Sequence, residues 1–212
     1  MRMLQYHPNG TTDVTVYDGD QFEKHNAERQ INSSGSKADR LNVLLELQNL
    51  EPVCVDQYMN RSLLSRLRRE DLTAGAVRLV VAAVDNDATR KMCIDVLTEL
   101  DGDFLFVTPG NSDAADSETD IRGNVLWFGR IGSKDVGINP SLLFPNIERP
   151  QDGIPRKGNC TDGAVSTPQL IAANALAASY TLTVIQNFLD DRMPYEASHL
   201  FFNGRTLSLT AN

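Results

Sequence analysis

The chain has 212 residues, 41% hydrophobic and 23% charged, which suits a globular protein with one core and an elaborated loop. A net charge of -8 and a pI near 4.8 argue against nonspecific nucleic-acid binding, which needs basic surface against phosphates. Three cysteines (Cys54, Cys93 and Cys160) with no C-x-x-C argue against a disulfide framework and a four-cysteine zinc site, and fit a reducing cytoplasm. The N-terminal MRMLQYHPNG lacks the apolar core of a signal peptide. No uncharged apolar run reaches the roughly 18 residues that span a bilayer, so a cytoplasmic protein with no membrane partner is expected.

Strand and helix patterns alternate along the chain. DVTVYD (Asp13 to Asp18) is a short β-branched run that predicts a buried strand. Ala38, Leu41, Leu44 and Leu45 then recur at helical spacing, with Ser36 as the expected N-cap. Pro52 to Tyr58 reads as a second strand, and Arg61 to Glu70 as a short amphipathic helix. Val77 to Asp85 is the strongest strand, apolar on both faces like a strand in the middle of a parallel sheet. Ala88 to Leu100 is helical, with Met92, Val96 and Leu100 on one side, and DFLFVTP and GNVLWFG predict two further strands. Arg130 to Val165 holds four of the nine prolines and five of the fourteen glycines, and predicts a long loop without sustained period. STPQLIAANALAASYTLTVIQNFLDD supplies the longest helix, with Pro168 in its first turn, Ser166 or Thr167 as cap, and burial expected on more than one side. HLFFNG and RTLSLTA predict a hairpin around a two-residue Asn203-Gly204 turn. The β-α-β order implies an α/β fold with a parallel sheet and helices on its faces, whose ligands bind beyond the carboxyl ends of the strands. Asp18 with Asp20, and Asp85 with Asn86, fall at such ends.

VYDGDQFEKHNAERQ (Val16 to Gln30) resembles the D-x-D…N-x-x-R-Q segment of the ThiF/MoeB/E1 superfamily, the ATP-dependent adenylyltransferases that activate ubiquitin-like proteins. GSKADRL resembles that family's G-x-x-K-A, VVAAVDNDATR its strand-ending D-N with a following Arg, and NCTDGAVSTPQLIAANALAASYTLTVIQNFL its crossover region and final helix. The resemblance covers about Val14 to Leu189, with PRTRC ThiF-like proteins and the E1 of the UFM1 system nearest in style. It implies a Rossmann-like ThiF/E1 sheet with helices on both faces, a long crossover loop over residues 130–165, a long C-terminal helix and a β hairpin. The family opens with a strand and a glycine-rich loop whose amides cradle phosphate. Here the sequence starts where that first helix should end, so a single N-terminally truncated domain over residues 1–212 is expected, with the first β-strand and glycine loop missing. The C-x-x-C zinc pairs of many relatives are absent, and the spacing from Arg29 to Lys37 is short.

Carried onto this sequence, the resemblance implies ATP and Mg²⁺ as cofactors. Asp18 would meet the ribose hydroxyls, with Asp20 either supporting it or solvated. Asn26, Arg29 and Gln30 form the N-x-x-R-Q element, in which Arg29 would hold phosphate in a guanidinium fork. Lys37 would neutralise the β- or γ-phosphate as a point charge, and a lysine in a first helical turn is mildly unfavourable unless an anion sits nearby. Asp85 would bind Mg²⁺ and Asn86 the nucleotide. The bland alternatives are a turn-capping Asp18, a surface-paired Arg29, a solvated Lys37 and an N-capping Asp85. Cys160, in the Gly/Pro-rich loop before a helix, would form a thioester in some relatives. Cys54 and Cys93 sit on strand and helix patterns that suit the core. His7, His25 and His199 have no metal-ligand spacing.

The expected function is ATP-dependent adenylation of the C-terminus of a ubiquitin-like or sulfur-carrier protein or peptide, with thioester formation on Cys160 as an extension, by a homodimer. The alternative is a degenerate, catalytically weak ThiF-like scaffold acting as a dimer subunit or partner-binding module. A nicotinamide or flavin oxidoreductase is disfavoured by the missing dinucleotide fingerprint.

Overall fold

A computed structural model of the chain describes residues 13–22, 35–47, 51–68, 76–111, 121–155, 171–193 and 197–211. The described residues fall in two compact units. The first takes those up to Met59 together with Pro155; the second runs from Asn60 to Ile154 and takes the residues beyond 166.

In the first unit, β1 (Thr15–Tyr17) and β2 (Val53–Val55) pair in parallel, with Val16 opposite Cys54. Parallel strands need a crossover, and α1 (Lys37–Glu46) supplies it. Ser36 caps this helix as its position predicts: its Oγ accepts from the Asp39 N–H at 3.3 Å. Ala38 and Leu45 are buried, whereas Leu44, on the same predicted apolar stripe, is 39% exposed.

The second unit begins with a short helix α2 (Arg61–Leu64), which tightens into a 3₁₀ turn at Ser65–Arg68. β3 (Arg78–Val81), α3 (Asp87–Thr98) and β4 (Phe104–Asn111) form a parallel β-α-β unit. From there the sheet departs from the parallel expectation. β5 (Arg122–Ile131) runs antiparallel to β4, from Phe104 opposite Arg130 to Asn111 opposite Gly123. The other edge of β5 pairs antiparallel with β6 (Lys134–Gly137) and with β7 (His199–Asn203), which pairs in turn with β8 (Ser208–Ala211). The strand order is β3-β4-β5-β7-β8, with β6 on β5. The β5–β6 pairing follows from its connection. Gly132 and Ser133 both have positive φ, of 55° and 66°, and close β5 onto β6 in two residues, a turn that only antiparallel neighbours can use.

Three further expectations change. The Val77 to Asp85 run forms only the four-residue β3, which ends the strand order of its sheet and leaves Val81 43% exposed rather than buried on both faces. Within the predicted loop of residues 130–165, the described part up to 155 holds the end of β5, β6, and the short helices α4 (Pro140–Leu143) and α5 (Pro145–Glu148), each opened by a proline at its first position. The terminal hairpin turns over four residues rather than two, because Asn203 pairs with Ser208. The Asn203 side chain accepts from the Arg205 and Thr206 amides, and Leu207 takes the left-handed region at φ 54°.

β4 sets the layering. Its Leu105 and Val107 join Val125, Trp127 and Val136 against Val184 of the last helix, α6 (Ile171–Leu189). The alternate residues Phe104 and Phe106 point to the opposite face, where both rings meet Phe128 edge-on at centroid distances of 5.4 and 5.6 Å. Thr108, on that same face, bonds to Arg90 of α3, so helices cover both faces of this sheet. α6 is the longest described helix, as predicted, but it buries one stripe (Ala173, Ala177, Thr181, Val184, Ile185 and Leu189) rather than several sides. Its predicted cap and Pro168 lie outside the described residues. Among the described residues no helix is long and apolar enough to cross a membrane.

The single stripe gives a contrast that denaturant unfolding can measure. Ile185→Ala, at a position 5% exposed, lowers stability by about 2–5 kcal/mol, whereas Leu182→Ala, at 48%, changes it by less than about 0.5 kcal/mol.

Candidate functional site

The predicted site residues that the structure describes lie in two clusters, one in each unit. In the first, Asp18 follows the last residue of β1, and its N–H still donates to the Val55 carbonyl at 3.1 Å. Its Oδ1 accepts from the Asp20 N–H at 2.9 Å, a side chain closing its own turn, and its other oxygen has no hydrogen-bond partner among the described residues. Burial raises the Asp18 carboxyl above its ordinary value; the Asp20 amide and the Lys37 charge oppose this and do not cancel it.

Asp20 collects the cluster. Its Oδ2 accepts from Lys37 Nζ at 2.7 Å, its Oδ1 from the Tyr58 hydroxyl at 2.6 Å, and its carbonyl from the Lys37 N–H at 3.0 Å. Burial alone would raise this carboxyl, but the bonds from Lys37 and Tyr58 outweigh it and hold Asp20 below its ordinary 3.8. Lys37 is therefore neither solvated nor bare: its ammonium has three donors, and Asp20 takes one. Gly19 lies flat against Tyr58. A Cβ there would stand 2.6 Å from the ring and 2.7 Å from the Tyr58 nitrogen, closer than any side chain can sit.

The second cluster surrounds the start of α3. Asn86, not Asp85, is the N-cap; its Oδ1 accepts from the Thr89 N–H at 2.8 Å. The preceding orphan amides are met from far along the chain. Asp152 Oδ2 accepts from the Asp87 N–H at 2.7 Å and its Oδ1 from the Ala88 N–H at 2.8 Å. Asp85 is exposed, and its carboxylate has no partner among the described residues. Such a group fits Mg²⁺, which takes one or two carboxylates with phosphate oxygens and water. Among the described residues no three His, Cys, Asp or Glu side chains gather into an all-protein metal cage. Beneath Asp85, Arg90 bonds to Asp87, Thr108 and two backbone carbonyls.

Asn26, Arg29, Gln30 and Cys160, with His7 and His25, lie outside the described residues. Cys93 is core, as expected, and burial pushes its thiol up to about 12. Cys54 is half-buried, and burial with the charges of Asp39 and Glu46 raises it too. His199 sits in β7 beside Ser198, 3.0 Å from the hydroxyl. Sequence reasoning missed Tyr58 and Asp152, and assigned Arg90 no role.

Taken together, the elements form a mixed α/β fold with a sheet covered by helices on both faces, the Rossmann-like architecture expected of the ThiF/E1 type. No protein-family model matches the sequence, and no curated protein matches it. Among solved structures, that of Escherichia coli MccB with AMPCPP and MccA is similar, at a TM-score of 0.55 and 12% identity. The match covers 96% of this chain and 56% of that one, so the chain spans little more than half the length of the structure it matches. At this identity the likeness is one of fold.

Two substitutions test the clusters. Because Asp20 titrates below 3.8 in the folded protein, its pairing stabilises the fold above that pH, and the contribution is lost as the pH falls through the folded-state value. Asp20→Asn therefore lowers stability at neutral pH by about 0.5–1 kcal/mol, and the difference from the parent protein vanishes in acid, as unfolding curves across pH will record. Asp152→Ala strips the Asp87 and Ala88 amides of their acceptor and lowers stability by about 1 kcal/mol, read as a fall in Tm.

Proposed function

We propose that the protein adenylates the C-terminal carboxylate of a ubiquitin-like or sulfur-carrier protein or peptide at the expense of ATP. The observation that carries this reading is the end of β1: Asp18 keeps an unpaired carboxylate oxygen there, beside a lysine held in place by Asp20. Ligands of open α/β sheets bind beyond the carboxyl ends of strands, and a carboxylate in that position suits a ribose hydroxyl donor. The fold likeness to MccB, whose crystal structure holds the ATP analogue AMPCPP together with MccA, supports nucleotide chemistry on this scaffold.

In the reaction the substrate carboxylate attacks the α-phosphorus, the bond to the α,β-bridging oxygen breaks, and pyrophosphate leaves with the electron pair. The protein need not supply a nucleophile; it must spread phosphate charge. Asp20 fixes Lys37 without using up its donors, so two N–H groups remain for phosphate oxygens. Arg29 would take a phosphate in its fork, with Asn26 and Gln30 as further nucleotide contacts, whereas Asn86 is buried and its Oδ1 is spent on the Thr89 amide. Asp85 would hold Mg²⁺, which would supply neutralisation of phosphate charge when bound. Thioester transfer to Cys160, a homodimer and a cytoplasmic setting extend the same reading.

A second reading, a scaffold that has lost its chemistry and serves as a dimer subunit or partner-binding module, is favoured by one observation. The Asp87 and Ala88 amides, which could receive an anion, are already filled by Asp152.

Pyrophosphate exchange with Mg-ATP and peptides ending in glycine decides between them. Adenylation predicts exchange that falls about 10–100-fold in Asp18→Asn, the loss of one hydrogen bond to a charged group. A parent protein that shows no exchange and binds no ATP sinks the enzyme reading.

A further inference from the structure

We propose that Arg90 is a positioning residue that sets the backbone at Asp85, a role that bears on catalysis only if the adenylation reading holds. Arg90 lies in the first turn of α3, with its side chain 15% exposed. Its guanidinium is shared among four acceptors. Nε donates to Thr108 Oγ1 at 3.1 Å, Nη1 to Asp87 Oδ1 at 2.7 Å, and Nη2 to the carbonyls of Val84 at 2.5 Å and Pro109 at 3.4 Å. Two of these acceptors belong to the end of β4, one to the segment leaving β3, and one to α3 itself. A single rigid plane thus joins the carboxyl ends of two parallel strands to the helix that connects them.

The position of the Val84 bond gives this its force. β3 ends at Val81, and beyond it the backbone must find other partners. The Ala82 N–H reaches the Val107 carbonyl at 2.9 Å, and the Ala82 carbonyl accepts the buried Thr108 hydroxyl at 2.8 Å. The Val84 carbonyl accepts Arg90. Asn86 is then held as the N-cap of α3, and Asp152 holds the next two amides. Asp85 is thus bracketed by fixed neighbours, while its own carboxylate has no partner among the described residues. The side chains around it are spent on backbone, and one charge is left over on a held loop. Lysine at position 90 could keep the ion pair with Asp87, but one ammonium on a flexible stem cannot reach Thr108, Val84 and Pro109 as well.

The test uses the full chain with Arg90→Lys and, as a milder second variant, Thr108→Val. Two readouts are taken: amide hydrogen exchange, and the Mg²⁺ dependence of pyrophosphate exchange per folded molecule. The proposal expects the amides of Asp87, Ala88 and Thr89 to exchange about tenfold faster in Arg90→Lys, while those of Phe104–Val107 and α6 stay near the parent. It also expects the Mg²⁺ concentration giving half-maximal rate to rise about tenfold, with Thr108→Val intermediate in both. A residue that merely stabilises the fold would speed all amides of the unit together as Tm falls, and would leave the Mg²⁺ dependence unmoved; that outcome overturns the proposal. So does local loosening without a change in the Mg²⁺ dependence. If the parent protein shows no pyrophosphate exchange, the adenylation reading fails on its own. Hydrogen exchange then decides for Arg90: loosening confined to residues 87–89 sustains its hold on the loop, and uniform or absent loosening overturns it.

Discussion

The antiparallel ladder between β4 and β5 is the constraint on which the second unit depends. Once Phe104 is opposite Arg130 and Asn111 opposite Gly123, every side chain of β4 has an assigned face. Leu105 and Val107 go to α6, and Phe104 and Phe106 to the ring of Phe128. The close approach extends to the backbone: at Gly129 a Cβ would stand 2.2 Å from the Phe104 carbonyl oxygen, so only glycine fits. The same alternation brings Thr108 to the α3 side at the strand end, where it meets Arg90. A slip of one residue would turn both aromatic rings into the α6 layer and carry Thr108 away from its partners. The core register and the placement of the polar groups near Asp85 are therefore one property of the chain.

The two polar clusters follow a common logic at different strand ends. In each, charged side chains are used first to satisfy local backbone and each other, and a carboxylate oxygen remains over. In the first unit the remainder is on Asp18, with Asp20 committed to Lys37 and Tyr58. In the second it is Asp85, with Asn86, Asp152 and Arg90 committed around it. Leftover acceptors on a fully hydrogen-bonded frame are what a polar ligand needs, because the frame need not reorganise when the ligand arrives.

Much of the local structure could be read from the sequence. Ser36 announces α1 because a hydroxyl before a helical apolar period meets an orphan amide, and it does so here. The β-α-β order, the strands on either side of residue 112 and the long final helix all follow from period. The failures have physical causes. Asp85, Asn86 and Asp87 can each cap a helix, and only the path of the backbone out of β3 selects Asn86. The Asn-Gly signal near the end of the chain points to a two-residue turn, but the Asn203 side chain captures two later amides and lengthens it. An alanine- and leucine-rich helix reads as buried on more than one side, although alanine is small enough to face either way, and α6 buries one stripe. Tyr58 and Asp152 were invisible because their partners lie 38 and 65 residues away in sequence, and neither residue carries a local pattern.

The packing of Gly19 on Tyr58 ties two positions into one unit of inheritance. A side chain at 19 collides with the ring and with the Tyr58 backbone nitrogen, so a smaller residue at 58 relieves only part of the conflict. Any residue at 58 without a hydroxyl also abandons Asp20. Neither position has a neutral first step, and a compensating pair must still solve the backbone clash. Drift through this corner of the protein should accordingly be slow, and sequence variation among natural homologues should avoid both positions together.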